Sequence, residues 1–142
     1  MDRVGRRSRT RGHAALELAL LSPWIFFLFA GALDMGFYAY ALIATQNAAR
    51  VAAENASYKP GQAADAAAAC QFALAEMKAM SNVKSLSSCG AAPLVVAARS
   101  LTDSDGALAT EISVTYTTNQ LIPLPRLSGR LTITRKVQMR VL

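Results

Sequence analysis

The chain has 142 residues, enough for one small domain, and a membrane-spanning segment would leave about 90 of them for a soluble core. Residues 1–12 hold Arg3, Arg6, Arg7, Arg9 and Arg11 against Asp2, a net of +4, so only +2 of the formal +6 is spread over everything beyond. That remainder is too small to build the basic face that phosphate neutralisation requires, which excludes nucleic acid as a partner. A single histidine, His13, and the lack of HExxH, GxSxG or a Gly-rich phosphate loop leave no basis for an enzyme or a cofactor.

The basic tail is followed by residues 14–45, apolar except for Glu17, Asp34 and a few small polar side chains, and residues 18–33 contain no ionisable group. That centre, with a few residues from either flank, reaches the ~20 needed to cross a bilayer. Arginines precede it and no Lys or Arg follows until Arg50, so the positive-inside rule puts the N-terminus in the cytoplasm and the C-terminal part in the periplasm. A cleaved secretory signal is the competing reading, but the apolar stretch is longer than the 7–15 residues such signals use.

Helical periodicity continues past the apolar stretch. Ala41, Ala44, Thr45, Ala48, Ala49, Ala52, Ala53 and Ala56 fall on one narrow face of small side chains, with Gln46, Asn47, Arg50 and Glu54 largely away from it. Pro60 and Gly61 end this helix near Tyr58. From His13 to Tyr58 the predicted helix is on the order of 70 Å long, a stalk that is half membrane anchor.

A second, Ala-rich helix is expected over residues 62–80, then a polar loop to Cys89. Cys70 lies on that helix and has no CxxC or Cys/His companion, so a structural disulfide to Cys89 fits better than metal binding, with two buried free thiols as the alternative. Closing a loop of about 20 residues is worth roughly 3 kcal/mol, and only an oxidising compartment preserves the bond. Beyond Pro93 the period changes to two. Residues 94–98 read as one strand, Ile112, Val114 and Tyr116 share a face of a second, and Leu131, Ile133, Val137, Met139 and Val141 share a face of a third. The expected fold is α+β: a long N-terminal helix, a second helix, and a three-stranded antiparallel sheet whose apolar side is covered by the Ala stripe or the second helix. Residues 121–127, an apolar connection with two prolines, are expected to cap the sheet, the alternative being a surface that faces a partner or lipid. Asp103-Ser104-Asp105-Gly106 reads as a surface turn and not a calcium loop, since the later ligands are missing.

The most specific motif is Gly12-His13-Ala14-Ala15-Leu16-Glu17, a glycine after a basic tail with a carboxylate five residues on, inside an apolar helix where a charge is costly. This arrangement resembles type IV prepilins. A longer likeness is to the TadE/TadG family of Tad pili, carried by Ala14-Ala15-Leu16-Glu17, Leu20-Leu21-Ser22-Pro23, Gly31-Ala32-Leu33-Asp34-Met35-Gly36 and Gln46-Asn47-Ala48-Ala49-Arg50 in that order, with a weaker similarity over residues 110–142. The resemblance implies a cytoplasmic leader, residues 1–12, removed by a prepilin peptidase between Gly12 and His13. It implies a transmembrane and stalk helix over 13–58 and a periplasmic domain over 59–142. Glu17 becomes the fifth residue of the mature chain and serves assembly. The implied partners are the peptidase, the major pilin and other minor pilins, the inner-membrane platform proteins and membrane lipid. The chain is longer than the very short major pilins, which favours a minor pilin or pseudopilin supporting pilus assembly and adhesion. The alternative is an uncleaved single-pass inner-membrane protein whose periplasmic domain binds an envelope partner.

Overall fold

A computed structural model describes residues 7–119 and 129–142, with the backbone alone for residues 7–12 and Pro60. The chain divides into two units, Met1–Gly36 and Phe37–Leu142. One helix, α1 (Arg7–Ser57), supplies the described part of the first unit and continues into the second. It starts six residues before the expected His13, so the segment read as a leader is already helical from Arg7. Its one internal proline, Pro23, has no N–H to offer the carbonyl of Ala19, and the neighbouring Ser22 hydroxyl donates to that oxygen at 3.1 Å. The local defect is thereby satisfied within the helix.

In the second unit α1 ends where the sequence says it must, before Pro60, and a short 3-10 turn (Pro60–Gln62) follows. The end is secured by the Ser57 hydroxyl donating to the Glu54 carbonyl at 2.7 Å and by the Leu142 amide donating to the Ser57 carbonyl at 3.0 Å, which satisfies carbonyls a helix end leaves open. Helix α2 (Ala66–Glu76) is shorter than expected at both ends. Asp65 starts it: the backbone there is extended, and one carboxylate oxygen accepts from the amides of Ala67 and Ala68 at 2.9 and 3.0 Å. Residues 77–85 run on as tight turns after the helix.

The sheet has four strands where three were expected, in the order β1 (Gly90–Ala91), β2 (Leu94–Thr102), β3 (Leu108–Thr117) and β4 (Thr132–Arg140), all antiparallel. The extra strand is two residues long, too short for any alternation to register, and pairs only with the start of β2. Strand β2 runs four residues beyond the predicted 94–98. Strands β2 and β3 are joined by the Asp103–Gly106 turn, in which Gly106 takes φ +84°, the Gly106 amide donates to the Asp103 carbonyl, and Asp105 pairs with Arg140 of β4.

Alternation sorts the three long strands as the sequence expects. Leu94, Val96 and Ala98 of β2, Ile112, Val114 and Tyr116 of β3, and Ile133 and Val137 of β4 stand on one face, in cross-strand rows such as Leu94–Tyr116–Ile133 and Ala98–Ile112–Val137. Against this face lie the small side chains of α1, with Ala48, Ala49, Ala52 and Ala53 at most 1% exposed, and Ala69, Ala73 and Met77 from α2 and its end. Both proposed covers are therefore used. The buried alanines present only methyl groups on this face of α1, so whatever packs on them meets the helix with little side chain between. Residues 121–127, expected to cap the sheet, lie outside the described residues.

Candidate functional site

Gly12, His13 and Glu17 are all carried by α1 within the first unit. Gly12 has helical backbone, and His13 and Glu17 are exposed and stand four residues apart, on neighbouring positions of one helix face. The bond between Gly12 and His13 thus lies inside a regular helix and not in an extended segment. Cys70 and Cys89 belong to the second unit, where they form a disulfide with Cα atoms 5.7 Å apart, tying the loop after α2 back to that helix. They share no site with Glu17.

What surrounds Glu17 is unusual for protein in water. The six consecutive residues Trp24, Ile25, Phe26, Phe27, Leu28 and Phe29 are each more than half exposed, and six residues go round a helix more than once. Leu16, Leu18, Leu20, Leu21 and Met35 are exposed as well. An amphipathic surface helix hides its apolar stripe, whereas a helix that is apolar on every side needs an apolar solvent on every side. Residues 14–36 span about 34 Å, against a hydrocarbon thickness of about 30 Å. α1 is long and apolar enough to cross a membrane. The Ser22 bond to the Ala19 carbonyl stands in for the one Pro23 cannot make, which a helix in an apolar layer would need.

Two glycines interrupt this surface. A methyl group placed on Gly31 or Gly36 would meet no atom of the described residues within 4 Å, so none of these residues requires either to be glycine. Each costs helix stability, about 1 kcal/mol relative to alanine, and leaves backbone accessible to a neighbouring helix. Asp34, partly buried, stands between them.

In the second unit the buried polar groups have internal partners. Thr45 donates to the Ala41 carbonyl at 2.7 Å and Thr110 to the Ala63 carbonyl at 2.6 Å. Asn82 accepts from the Tyr116 hydroxyl at 2.7 Å and donates to the Thr117 carbonyl at 3.0 Å, pinning the turns after α2 to the sheet. Burial pushes the Tyr116 hydroxyl above its ordinary titration range. The sequence reading missed the Asp65 cap and the Asn82 clamp. The cap had a signal, an Asp directly before an Ala run, while Asn82 sits in a polar stretch where nothing distinguishes it from its neighbours. Among the described residues no group of three or more His, Cys, Asp or Glu side chains is placed to hold a metal.

No curated protein and no solved structure matches the chain. The model of the TadE-like protein family matches residues 12–54, starting at Gly12, taking in Glu17, Pro23, Gly31, Asp34 and Gly36, and ending within the Ala stripe. This segment, which is most of α1 and less than half of the chain, is similar to the TadE-like protein family.

Proposed function

We propose that the chain is a minor pilin or pseudopilin of a Tad-type pilus, a structural subunit that supports pilus assembly and surface adhesion and performs no catalysis. A prepilin peptidase cuts between Gly12 and His13. The helix from His13 then anchors the subunit in the inner membrane with its C-terminal domain in the periplasm, until platform proteins move it into contact with the major pilin and other minor pilins. The observation that carries this reading is a helix apolar on all sides, matched from Gly12 onward by the TadE-like family and continuous with the Ala-faced helix of a small folded domain. In a filament the same apolar surface, with its two glycines, packs against other helices in place of lipid.

Glu17 has a role in this scheme that lipid alone does not supply. A carboxylate just inside the apolar segment is tolerated near the interface, and in a helix bundle it offsets the charged amino terminus of a neighbouring mature subunit. The disulfide fits a domain exported to an oxidising compartment.

One observation favours the alternative of an uncleaved single-pass membrane protein whose periplasmic domain binds an envelope partner: α1 runs unbroken through the Gly12–His13 bond, and a peptidase must unwind a helix to cut it. Intact-mass measurement of membrane-extracted protein decides between the two. Loss of residues 1–12 is the result expected; a full-length mass in cells that carry an active prepilin peptidase overturns the pilin reading.

A further inference from the structure

Strand β4 (Thr132–Arg140) closes one side of the sheet, and among the described residues no strand lies beyond it. Its hydrogen-bonding groups alternate between two directions. The Thr118 amide donates to the Leu131 carbonyl at one end of the β3–β4 ladder and the Val141 amide to the Leu108 carbonyl at the other, with nine consecutive pairs and no bulge between. In an antiparallel ladder the bonded pairs alternate, so the odd residues of β4 bond to β3 and the even ones, Thr132, Thr134, Lys136, Gln138 and Arg140, turn N–H and C=O outward. Sheet edges are commonly blunted by shortness, a bulge or proline, and β4 has none of these.

What β4 does carry is charge of one sign. Arg135 shares the face of Ile133 and Val137, Lys136 and Arg140 stand on the opposite face, and the strand holds no acid. Arg140 is paired with Asp105 of the β2–β3 turn, and Glu111, on the outward face, belongs to β3, one strand in from the edge. A second copy laid antiparallel along the full length of β4 sets Lys136 directly opposite its own counterpart, which is repulsive. The same charges attract a strand that carries carboxylates. On the inner face Arg135 shares an open cleft of about 410 Å³ with Leu42, Ile43, Gln46 and Asn47, on the part of α1 within the second unit. A strand added to β4 turns alternate side chains toward this cleft, where Leu42 and Ile43 offer an apolar wall.

We propose that the outer edge of β4 is a docking site for an extended acidic segment of a partner protein, which adds to the sheet as a further strand. Its backbone bonds to the outward groups of Thr132, Thr134, Lys136, Gln138 and Arg140, its carboxylates stand beside Lys136 and Arg140, and its apolar side chains enter the cleft against Leu42 and Ile43. Main-chain bonds supply affinity, and charge supplies selection. The inference lies wholly within the second unit and depends neither on the membrane placement of residues 14–36 nor on the pilin assignment. It gives the domain a recognition surface apart from the apolar helix.

The test uses the full chain in detergent with short synthetic peptides that alternate valine with glutamate or valine with lysine. Binding is read by fluorescence anisotropy against empty micelles and located by amide hydrogen exchange. The glutamate peptide is expected to bind saturably, about tenfold more tightly than the lysine peptide, and to slow exchange at Thr132, Thr134, Lys136, Gln138 and Arg140. Lys136→Glu, at an exposed side chain, weakens the glutamate peptide about fivefold and strengthens the lysine peptide. Gln138→Pro removes an outward N–H without breaking a bond to β3 and weakens binding about tenfold, whereas Gln138→Ala, which keeps that donor, leaves it unchanged. Should Gln138→Pro melt at a lower temperature than the parent, a glutamate peptide N-methylated at alternate residues carries the comparison, since it lacks the donors that pair with the edge and should not bind. Absence of binding, equal binding of the two charged peptides, or binding unchanged by loss of these donors overturns the proposal. So does slow exchange of the outward amides in the peptide-free chain, which means that the edge is already filled, by the chain itself or by a second copy.

Discussion

At the scale of single residues, the second unit depends on a few polar side chains that replace missing backbone partners. Asn82 is the most connected, since it both accepts from Tyr116 and donates to the Thr117 carbonyl. Asn82→Ala strands the hydroxyl of a tyrosine that is only 3% exposed, a loss of about 1–3 kcal/mol. For a domain of this size that is a fall in melting temperature of about 4–8 °C per kcal/mol, measurable by circular dichroism of the full chain in detergent. Tyr116 adds a pH dependence. Because burial raises its pKa in the folded state, its phenol is neutral in both states below about pH 10, and the stability it contributes is complete there. Above that the unfolded chain ionises first, and this stability is lost as pH rises toward the folded pKa. The melting temperature of the parent chain should therefore fall more between about pH 9 and 12 than that of Tyr116→Phe, which has no phenol to ionise. Equal falls in the two proteins would show that burial of this hydroxyl carries no such cost. None of this was legible in the sequence. The partner of Asn82 is 34 residues away, and long-range pairing of polar side chains leaves no periodic trace.

At the scale of elements, legibility tracked periodicity. The Ala stripe, at helical spacing over four turns, was readable residue by residue, and Ala41, Thr45, Ala48, Ala49, Ala52, Ala53 and Ala56 are all buried. The long strands were readable from alternation, because a one-residue slip would turn Ile112, Val114 and Tyr116 to solvent. What escaped were elements without a period: a strand of two residues, the boundaries of α2, and the inward Arg135, which breaks the alternation of β4 at one position. The stripe also gives a sharp mutational contrast. Ala49→Leu forces three further heavy atoms into the packed space beneath this face of α1, at a cost of about 1–3 kcal/mol. Arg50→Ala, next in sequence but exposed, gives up only an exposed pair with Glu54 and changes stability by a few tenths. Chemical unfolding of the two variants in parallel checks the difference, and similar losses from both would mean that the stripe is not closely packed. The bridge between Cys70 and Cys89 is tested by alkylation without reductant on freshly extracted protein. Neither thiol should label; full labelling of both would remove the staple and, with it, the argument for an oxidising compartment.

At the scale of the whole molecule, the same helix carries two solvents' worth of sequence: residues 14–36 apolar on all sides, residues 41–56 small on one side and polar on the other. Glu17 belongs to the first stretch and contradicts it, so its substitution separates insertion from assembly. Near an interface a carboxylate is inexpensive, and Glu17→Gln should reach the membrane at the parent's level, retain its disulfide and melt at the same temperature. In a packed bundle of subunits the surroundings change. Neighbouring helices exclude water, the effective dielectric falls, and the attraction between the carboxylate and an adjacent amino terminus rises. Removing one partner then leaves the other as an uncompensated buried charge, a loss of about 3–5 kcal/mol. Expressed at native level, Glu17→Gln should mature normally yet fail in piliation and adhesion, each measured apart from membrane content. Normal piliation by this variant, in a strain where deletion of the subunit abolishes it, would reduce Glu17 to an interfacial carboxylate and leave the apolar surface of α1, with Gly31 and Gly36, as the part of the helix that assembly reads.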